Sequence, residues 1–220
     1  MTTIRSHAHV QLRGNSRLLT GTKRLADIVM ASAFFLFFGW LYALIWIGVL
    51  LTSGSPAIYK QPRYGLRGRV FSFYKFRSMV PDADMALERY LRENQGARQQ
   101  WEMYQKLDHD PRITPFGAFL RKYSLDELPQ FWNVLKGDMS MVGPRPCMFA
   151  QKELYGLYWD YYCSVRPGIT GLWQISGRNE VSYRRRVAMD VDYVTTLSLH
   201  QDIAILLKTF RVVAGGHGSS

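Results

Sequence analysis

The stretch Lys122-Tyr123-Ser124-Leu125-Asp126-Glu127-Leu128-Pro129-Gln130 places two adjacent carboxylates, Asp126 and Glu127, directly before an apolar segment. Apolar side chains then recur at i, i+3, i+4 and i+7, the spacing of an amphipathic helix: Leu128, Phe131, Trp132 and Leu135. Gly137 follows, and glycine is typical of a helix end. The pattern predicts a helix with the acid pair at its N-terminus.

Two interpretations of this helix start stay open. Ser124 and Glu127 match a capping box, in which each side chain accepts a hydrogen bond from the backbone N–H of the other. An N-cap at Asp126 fits equally well, because it places Pro129 in the first turn, where proline is tolerated. In both cases the first-turn N–H groups favour ionised carboxylates and attract phosphate, so that a carboxylate there can act as a nucleophile.

Composition limits the classes of partner. The 220 residues suit one domain of ordinary size, and the formal net charge of +11 favours nucleic acid, an anionic lipid surface or a phosphorylated substrate. The two cysteines, Cys147 and Cys163, have no histidine positioned as a base. We expect both to be reduced, buried and unreactive.

The N-terminal part of the chain changes from polar to apolar. Residues 1–22 are basic and aperiodic, and we predict a flexible tail. Residues 28–51 carry no charge over 24 positions, which at about 1.5 Å per residue is long enough to cross a bilayer core. We therefore assign residues 23–52 to a membrane helix.

Basic residues lie on both sides of this helix. Before it are Arg5, Arg13, Arg17, Lys23 and Arg24, and after it are Lys60, Arg63, Arg67, Arg69, Lys75 and Arg77. Positive charge marks the cytoplasmic side of a membrane, and a simple span cannot place both flanks there. A re-entrant helix that breaks near Gly39 can, and a true span is the alternative.

The remaining residues predict a compact cytosolic catalytic domain at 53–214, followed by a tail at 215–220. Alternating side chains at 57–65 and 70–79 predict a short strand or two. Residues 82–107, 182–196 and 199–213 predict helices, of which the last suits a membrane surface or the core. The predicted fold class is α+β, mostly helical, with a re-entrant membrane helix, interfacial amphipathic helices and a few short strands.

Two rigid motifs carry candidate ligand-binding side chains. Prolines on both sides of Arg145 fix the backbone, so its guanidinium suits bidentate phosphate recognition, although a structural turn has the same pattern. The glycine-rich stretch 166–179 permits close approach of a ligand to Trp173, Gln174 or Arg178. That stretch lacks the spacing of a dinucleotide-binding or Walker site.

From Lys23 onward the chain resembles the bacterial sugar transferases, the monotopic polyprenyl-phosphate phosphoglycosyl transferases. The segments that carry the resemblance are KFRSM at 75–79, LRKYSLDELPQ at 120–130, NVLKGDMS at 133–140, VGPRP at 142–146 and RPGITG at 166–171. The insertion at 82–113 and the segment 176–179 further resemble the ExoY/WbaP group, which initiates exopolysaccharide or O-antigen repeats with galactose phosphate. The chain is similar to the short, ExoY-like form, without a multi-span N-terminal region.

The resemblance implies transfer of a sugar phosphate from a UDP-sugar to undecaprenyl phosphate, with release of UMP, at the cytoplasmic face of the bacterial inner membrane. It implies that Asp126 is the nucleophile and forms an acyl sugar phosphate, and that Glu127 holds Mg²⁺. Arg121 and Arg145 would bind phosphate oxygens. The other residues assigned to the substrate are Lys75, Arg77, Gln174, Arg178 and Asp190. We expect no nucleic acid partner, and a homodimer is a candidate assembly.

One difference from the family's pattern concerns the membrane helix. Relatives usually carry a proline, often after a serine, midway along it, where this chain has Gly39-Trp40. The difference bears on the topology of the helix rather than on the chemistry.

Two other functions stay open. A metal-dependent glycosyltransferase would use a D-x-D motif, at Asp108 and Asp110 or at Asp190 and Asp192, and would release UDP instead of UMP. A membrane-anchored basic module would bind nucleic acid with a steep salt dependence and would show no turnover.

Overall fold

The structure is a computed structural model that describes residues 17–104, 107–176 and 181–214. Its helices are α1 (Arg17–Ser53), α2 (Ala83–Glu93), α3 (Gln95–Tyr104), α4 (Pro115–Lys122), α5 (Gln130–Lys136), α6 (Lys152–Tyr155), α7 (Trp159–Cys163), α8 (Tyr183–Thr195) and α9 (Leu199–Ala214). Its strands are β1 (Ile58–Tyr64), β2 (Val70–Phe76), β3 (Ser140–Val142) and β4 (Gly168–Thr170). The fold is therefore α+β and mostly helical, as predicted. The predicted tail at 215–220 and residues 1–16 of the N-terminal tail lie outside the described residues.

The chain divides into two compact units. One contains the residues up to Ala33, Pro62–Phe73 and Phe131–Arg211. We call it the strand-pair unit, because it contains β3 and β4. The other contains Phe34–Gln61, Tyr74–Gln130 and the residues from Val212 onward. We call it the dyad unit, because it contains Asp126 and Glu127.

The longest element, α1, has 37 residues. Its segment Leu19–Ser53 is long and apolar enough to cross a membrane, and only 11% of its most apolar window is buried. Residues 17–22, which we assigned to the tail, are already helical. The helix continues without interruption through Gly39, so the break predicted there is wrong; a glycine without a proline leaves the helix hydrogen bonds intact. The long apolar helix is thus confirmed, and its re-entry is taken up under the proposed function.

Charged side chains near the start of α1 bind the rest of the strand-pair unit. Lys23 forms an ion pair with Asp202 and donates to the carbonyl oxygen of Val142 at 3.0 Å. Asp27 is 2% exposed and accepts hydrogen bonds from the Ser140 hydroxyl and the Met141 N–H. Lys23 was interpreted from the sequence as part of a membrane flank, and the structure shows that Lys23 and Asp27 anchor the helix to protein.

A pair of very short parallel strands lies at the centre of the strand-pair unit. Ser140 is in register with Gly168, and Val142 with Thr170. A Cβ atom on Gly168 would lie 2.1 Å from the backbone nitrogen of Gly143, so this close approach requires glycine. The core around the pair consists of Ala31, Phe73, Val134, Met139, Met141, Val142, Tyr193, Val194 and Ile205.

The last two helices match their predictions closely. α8 begins after Ser182, whose hydroxyl accepts a hydrogen bond from the N–H of Arg185. α9 buries Ile205 and leaves the apolar side chains of Ile203, Leu207 and Phe210 exposed. The sequence left a membrane surface and core packing open for this helix; Ile205 packs in the core, and the exposed apolar face suits a membrane surface.

The dyad unit has a separate apolar core, formed by Ile45, Val49, Ala57, Phe76 and Leu120. α4 enters this core with Thr114 as N-cap, whose hydroxyl accepts from the N–H of Gly117 at 2.9 Å, and with Pro115 in its first turn. The strands predicted at 57–65 and 70–79 are present as β1 and β2, and they pair in a two-stranded sheet.

The single helix predicted at 82–107 is wrong, because two helices, α2 and α3, occupy this segment. Asn94 lies between them with an extended backbone, at φ −127° and ψ 98°. Its side-chain amide donates to the carbonyl oxygen of Tyr90 at 3.1 Å. Asparagine side chains compete for backbone hydrogen bonds in this way and thereby end helices.

Candidate active site

The acid pair lies in a 3₁₀ turn, Leu125–Glu127, and α5 begins only at Gln130. Ser124 is left-handed, at φ 55°, and its side chain caps nothing. Both predicted helix starts, the capping box at Ser124 and the N-cap at Asp126, are therefore wrong. Pro129 explains the difference, because it cannot donate to the carbonyl of Leu125, which accepts from the N–H of Leu128 at 3.3 Å instead.

Lys75 joins the two carboxylates. Its Nζ atom lies 3.2 Å from Oδ2 of Asp126 and 2.8 Å from Oε1 of Glu127. Lys75 reaches them from β2, where the neighbouring Phe76 points to the opposite face and is buried in the core. Side-chain exposure is 21% for Lys75, 4% for Asp126 and 14% for Glu127, so this charged cluster is largely withdrawn from water.

Arg121 brings a second positive charge to Asp126 from the last turn of α4. Its Nε donates to the Ser78 hydroxyl at 2.8 Å, and its charge acts on both Asp126 and Asp110. Among the described residues, no hydrogen bond engages its two terminal nitrogens. These nitrogens form the edge of the guanidinium that suits bidentate contact with phosphate.

Burial raises the pKa of Asp126 above its ordinary value, Lys75 and Arg121 oppose that effect, and the adjacent Glu127 adds to it. Oδ2 accepts from Lys75, whereas Oδ1 is buried and has no hydrogen-bond partner among the described residues. A carboxylate oxygen with free lone pairs, beside two cationic groups, is suited to attack phosphorus or to bind a cation.

The carboxylate pair also fits a divalent cation. Two oxygens from different side chains already share one positive group, and Oδ1 of Asp126 is unsatisfied. No cluster of three or more acidic, histidine or cysteine ligands occurs in the described part of the chain. This donor set suits Mg²⁺, which is bound by one or two carboxylates together with water and substrate phosphates.

The predicted site residues fall into the two units. Lys75, Arg121, Asp126 and Glu127 meet in the dyad unit, where Arg77 donates to the carbonyl oxygen of Ser55 at 3.2 Å. The residues in the strand-pair unit are Arg145, Gln174 and Asp190. Arg178 lies outside the described residues.

Arg145 is held in a rigid loop, as the flanking prolines predicted. Pro144 and Pro146 are buried, and the carbonyl oxygen of Pro144 accepts from the N–H of Gly168 at 2.8 Å. Arg145 itself is half-buried. Phosphate binding by Arg145 stays a prediction.

In the second rigid motif, the glycine-rich stretch 166–179, two of the predicted ligand-binding side chains make contacts within the protein. The side-chain amide of Gln174 donates to the carbonyl oxygen of Ile169 at 3.0 Å. Trp173 is buried, and the Arg186 guanidinium lies 4.6 Å from its ring centroid. Trp173 therefore packs within the protein instead of presenting its ring to a ligand.

The D-x-D motifs do not resemble metal sites. Arg112 binds both carboxylate oxygens of Asp110, through Nε and Nη2 at 2.8 and 2.6 Å. Burial would raise the pKa of Asp110, but these bonds hold it below its ordinary value. Asp190 is 3% exposed and accepts from the hydroxyl of Tyr155 at 2.7 Å. This geometry disfavours the glycosyltransferase hypothesis.

Both cysteines are free, as predicted. Burial raises the pKa of Cys147 to about 12 and that of Cys163 to about 11. Neither thiol is suited to act as a nucleophile near neutral pH.

Ser78 is a further residue of the site that no sequence pattern predicted. It was quoted within a family segment, but no local pattern shows that its hydroxyl holds Arg121, 43 residues further along the chain. The available signal was a small polar residue two positions after the end of a short strand.

The model of the bacterial sugar transferase family matches residues 18–216. The chain belongs to this family. It is 46% identical over 197 residues to the exopolysaccharide production protein ExoY of Rhizobium meliloti, with 90% of this chain and 87% of ExoY covered. The match to the undecaprenyl-phosphate galactose phosphotransferase of Salmonella typhimurium is 46% identical and covers the whole of this chain and 47% of that protein.

A third member of the bacterial sugar transferase family, an uncharacterized sugar transferase of Haemophilus influenzae, is 47% identical, with 93% of this chain and 43% of that protein covered. The chain thus spans about half the length of two of the curated relatives that it matches, and most of ExoY.

Proposed function

We propose that this chain is a phosphoglycosyl transferase that moves a sugar 1-phosphate from a UDP-sugar to undecaprenyl phosphate and releases UMP. The observation that carries the proposal is the cluster of Lys75, Asp126, Glu127 and Arg121, in which a withdrawn carboxylate faces two cationic groups. Family membership and the similarity to the undecaprenyl-phosphate galactose phosphotransferase of Salmonella support the same reaction. We propose that this reaction is the first step in assembling an exopolysaccharide, capsule or O-antigen repeat.

The proposed first step makes Asp126 the nucleophile. A carboxylate oxygen attacks the phosphorus that bears the sugar, a bond from that phosphorus to the bridging oxygen of the diphosphate breaks, and UMP leaves with the electron pair. The product on the protein is an acyl sugar phosphate. An oxygen of undecaprenyl phosphate then attacks the same phosphorus, which regenerates the carboxylate and forms undecaprenyl-diphospho-sugar.

The surrounding charges lower the repulsion between the reactants. The free edge of the Arg121 guanidinium is proposed to bind phosphate oxygens, and Lys75 to stabilise charge at the attacked phosphate. Mg²⁺, held by Glu127 with Asp126 beside it, would neutralise charge on the diphosphate. Substrate contacts by Arg77, Arg145, Gln174, Arg178 and Asp190 are proposed from the sequence resemblance.

The membrane helix is proposed to enter the cytoplasmic leaflet without crossing the bilayer. Lys23, near the start of α1, binds Asp202, whereas Val49, near its end, packs in the same core as Leu120. Between residues 120 and 202, the described part of the chain contains no second helix that could cross a membrane. Because basic residues flank α1 on both sides, we propose that both of its ends lie on the cytoplasmic side and that the uninterrupted helix rests in the leaflet with its exposed side chains Leu36, Phe37 and Trp40 facing lipid.

The test of this function is to follow the nucleotide product. The protein, in detergent or nanodiscs, is incubated with undecaprenyl phosphate and either UDP-galactose or UDP-glucose. Release of UMP supports the proposal, and release of UDP would show glycosyl transfer instead. Without the lipid, a sugar labelled with ³H should become covalently attached to the wild-type chain.

Asp126→Asn separates the proposed mechanism from simple substrate binding. This variant should lose both turnover and covalent labelling, because an amide cannot form the acyl phosphate. Asp84→Asn is the matched control, since Asp84 is an exposed acid in the first turn of α2. Full turnover by a folded Asp126→Asn protein would refute the role of Asp126.

A further inference from the structure

We infer that Lys75 is an internal cation that occupies the divalent-metal position of the acid pair and is displaced when the metal binds. The ammonium group lies between two oxygens from different side chains, 3.2 Å from Oδ2 of Asp126 and 2.8 Å from Oε1 of Glu127. A metal ion that uses these two oxygens would have to enter the same space.

The two cations exclude each other. Mg²⁺ binds oxygen at about 2.1 Å, so a metal ion between these oxygens would be in contact with the ammonium group. Two positive charges at such a distance repel strongly in a site that is shielded from water. The exchange is therefore competitive: the metal binds as the ammonium leaves.

The need for an internal cation follows from the burial of the acid pair. Adjacent carboxylates whose side chains are only 4% and 14% exposed are costly to ionise unless a positive group neutralises them. Lys75 supplies that group when the metal is absent. Mg²⁺ gives up its water shell reluctantly, so such a site is open to an internal competitor.

Lysine is suited to this exchange. Its charge is compact and sits at the end of a flexible four-carbon stem, whereas an arginine would hold carboxylates in a fixed, bidentate geometry. The Lys75 side chain is 21% exposed, so its end can move toward solvent while β2 stays in place. Its departure uncovers Oδ2 of Asp126. The released ammonium can then pair with a substrate phosphate, a step that rests on the proposed function.

The first experiment measures metal binding in the absence of substrate. Isothermal titration of MgCl₂ into the wild-type protein and into Lys75→Met should show binding that is about tenfold tighter or more in the variant, because a competing charge has been removed. The same titration of Glu127→Gln identifies the Mg²⁺ binding that occurs at the acid pair, because that binding should disappear in this variant.

Lys60→Met is the matched control for this titration. Lys60 is an exposed lysine on β1, with its Nζ 6.0 Å from the Tyr74 ring centroid, so this variant loses the same charge away from the acid pair. Its Mg²⁺ affinity should stay within about twofold of wild type, since exposed charges are screened. Unchanged or weaker binding by Lys75→Met would overturn the inference, as would the absence of any binding that depends on Glu127.

A second experiment uses only the wild-type chain, so it holds even if Lys75→Met does not fold. Lysines are acetylated with an N-hydroxysuccinimide ester, and mass spectrometry follows each site with and without MgCl₂. Mg²⁺ should raise the acetylation rate of Lys75 several-fold and leave that of Lys60 unchanged. No change at Lys75, or protection of it, would overturn the exchange. Neither experiment uses turnover, so failure of the proposed reaction would be seen separately in the UMP assay.

Discussion

The hydroxyl of Ser78 accepts a hydrogen bond from Nε of Arg121 at 2.8 Å, and this contact selects the edge of the guanidinium that remains for a ligand. The backbone of Ser78 holds the same helix, because its carbonyl oxygen accepts from the N–H of Thr114, the N-cap of α4, at 3.2 Å. Ser78 thus fixes both the position of α4 and the orientation of its last-turn arginine.

Ser78→Ala should therefore weaken the reaction through Arg121. We expect kcat/KM to fall about tenfold, since a hydrogen bond to a charged group contributes roughly 1.5–3 kcal/mol. Arg121→Lys should lower it further by itself, because a lysine cannot contact a phosphate in the same bidentate way. The check is a double-mutant cycle: if Ser78 acts by positioning Arg121, adding Ser78→Ala to Arg121→Lys should cost little more. Strictly additive losses would show an independent, purely structural role.

Gly117 should tolerate no side chain. A Cβ atom there would lie 2.0 Å from the carbonyl oxygen of Ser78, a backbone atom that cannot move aside alone. We expect Gly117→Ala to lower the free energy of unfolding by about 1–3 kcal/mol through overpacking and to reduce activity by shifting α4.

Gly96→Ala provides the comparison for that variant. A Cβ atom on Gly96, in α3, would meet nothing within 4 Å, so helix propensity alone should make this variant neutral or slightly more stable. Thermal unfolding in detergent measures both variants. Equal melting temperatures for Gly117→Ala and wild type would contradict the packing of α4 against Ser78.

Local patterns explain which parts of the fold could be predicted. α8 and α9 were placed to within one residue at each end because the pattern of charged and apolar residues along a helix is a local signal. β3 and β4 were not predicted at all. Each has three residues, and their pairing joins Ser140 to Gly168 across a long stretch of chain, so no short window contains the signal.

The same distinction applies to the candidate site. Asp126 and Glu127 were visible as an adjacent pair in a family segment, and Lys75 in another. The sequence could not show that the Lys75 ammonium bridges both carboxylates, because Lys75 and Asp126 are 51 positions apart in the chain. The local geometry of the acid pair was predicted wrongly because Pro129 was placed within a helix, whereas it lies between a 3₁₀ turn and α5.

Asp190 should make the stability of the protein fall as pH rises. Burial raises the pKa of Asp190 to about 7, against an ordinary value of 3.8. Between these two values the folded state keeps a proton that the unfolded state has lost. The contribution of Asp190 to the free energy of unfolding is therefore largest below about pH 4. It decreases as pH rises to about 7, by up to roughly 4 kcal/mol in total.

Asp190→Asn tests this dependence, because asparagine can still accept from the Tyr155 hydroxyl but does not titrate. The free energy of unfolding of Asp190→Asn should exceed that of wild type most clearly at pH 8. Between pH 4 and 7 it should fall less than the free energy of unfolding of wild type does. Asp192→Asn, which changes an exposed acid on the same helix, should keep the wild-type profile. Parallel pH profiles for Asp190→Asn and wild type would show that Asp190 does not titrate in this range.

The topology proposed for α1 predicts that single cysteines near its start and in α9 report the same side of the membrane. Thr20→Cys and His200→Cys place thiols at exposed positions, the first three residues before Lys23 and the second two residues before Asp202. Because Lys23 and Asp202 form an ion pair, both thiols should react with a membrane-impermeant maleimide only after the inner membrane is opened. A cysteine in a known periplasmic loop of a marker protein serves as the positive control in intact spheroplasts. Labelling of Thr20→Cys in intact spheroplasts would require α1 to cross the bilayer, which would break its contact with Asp202 and refute the proposed topology.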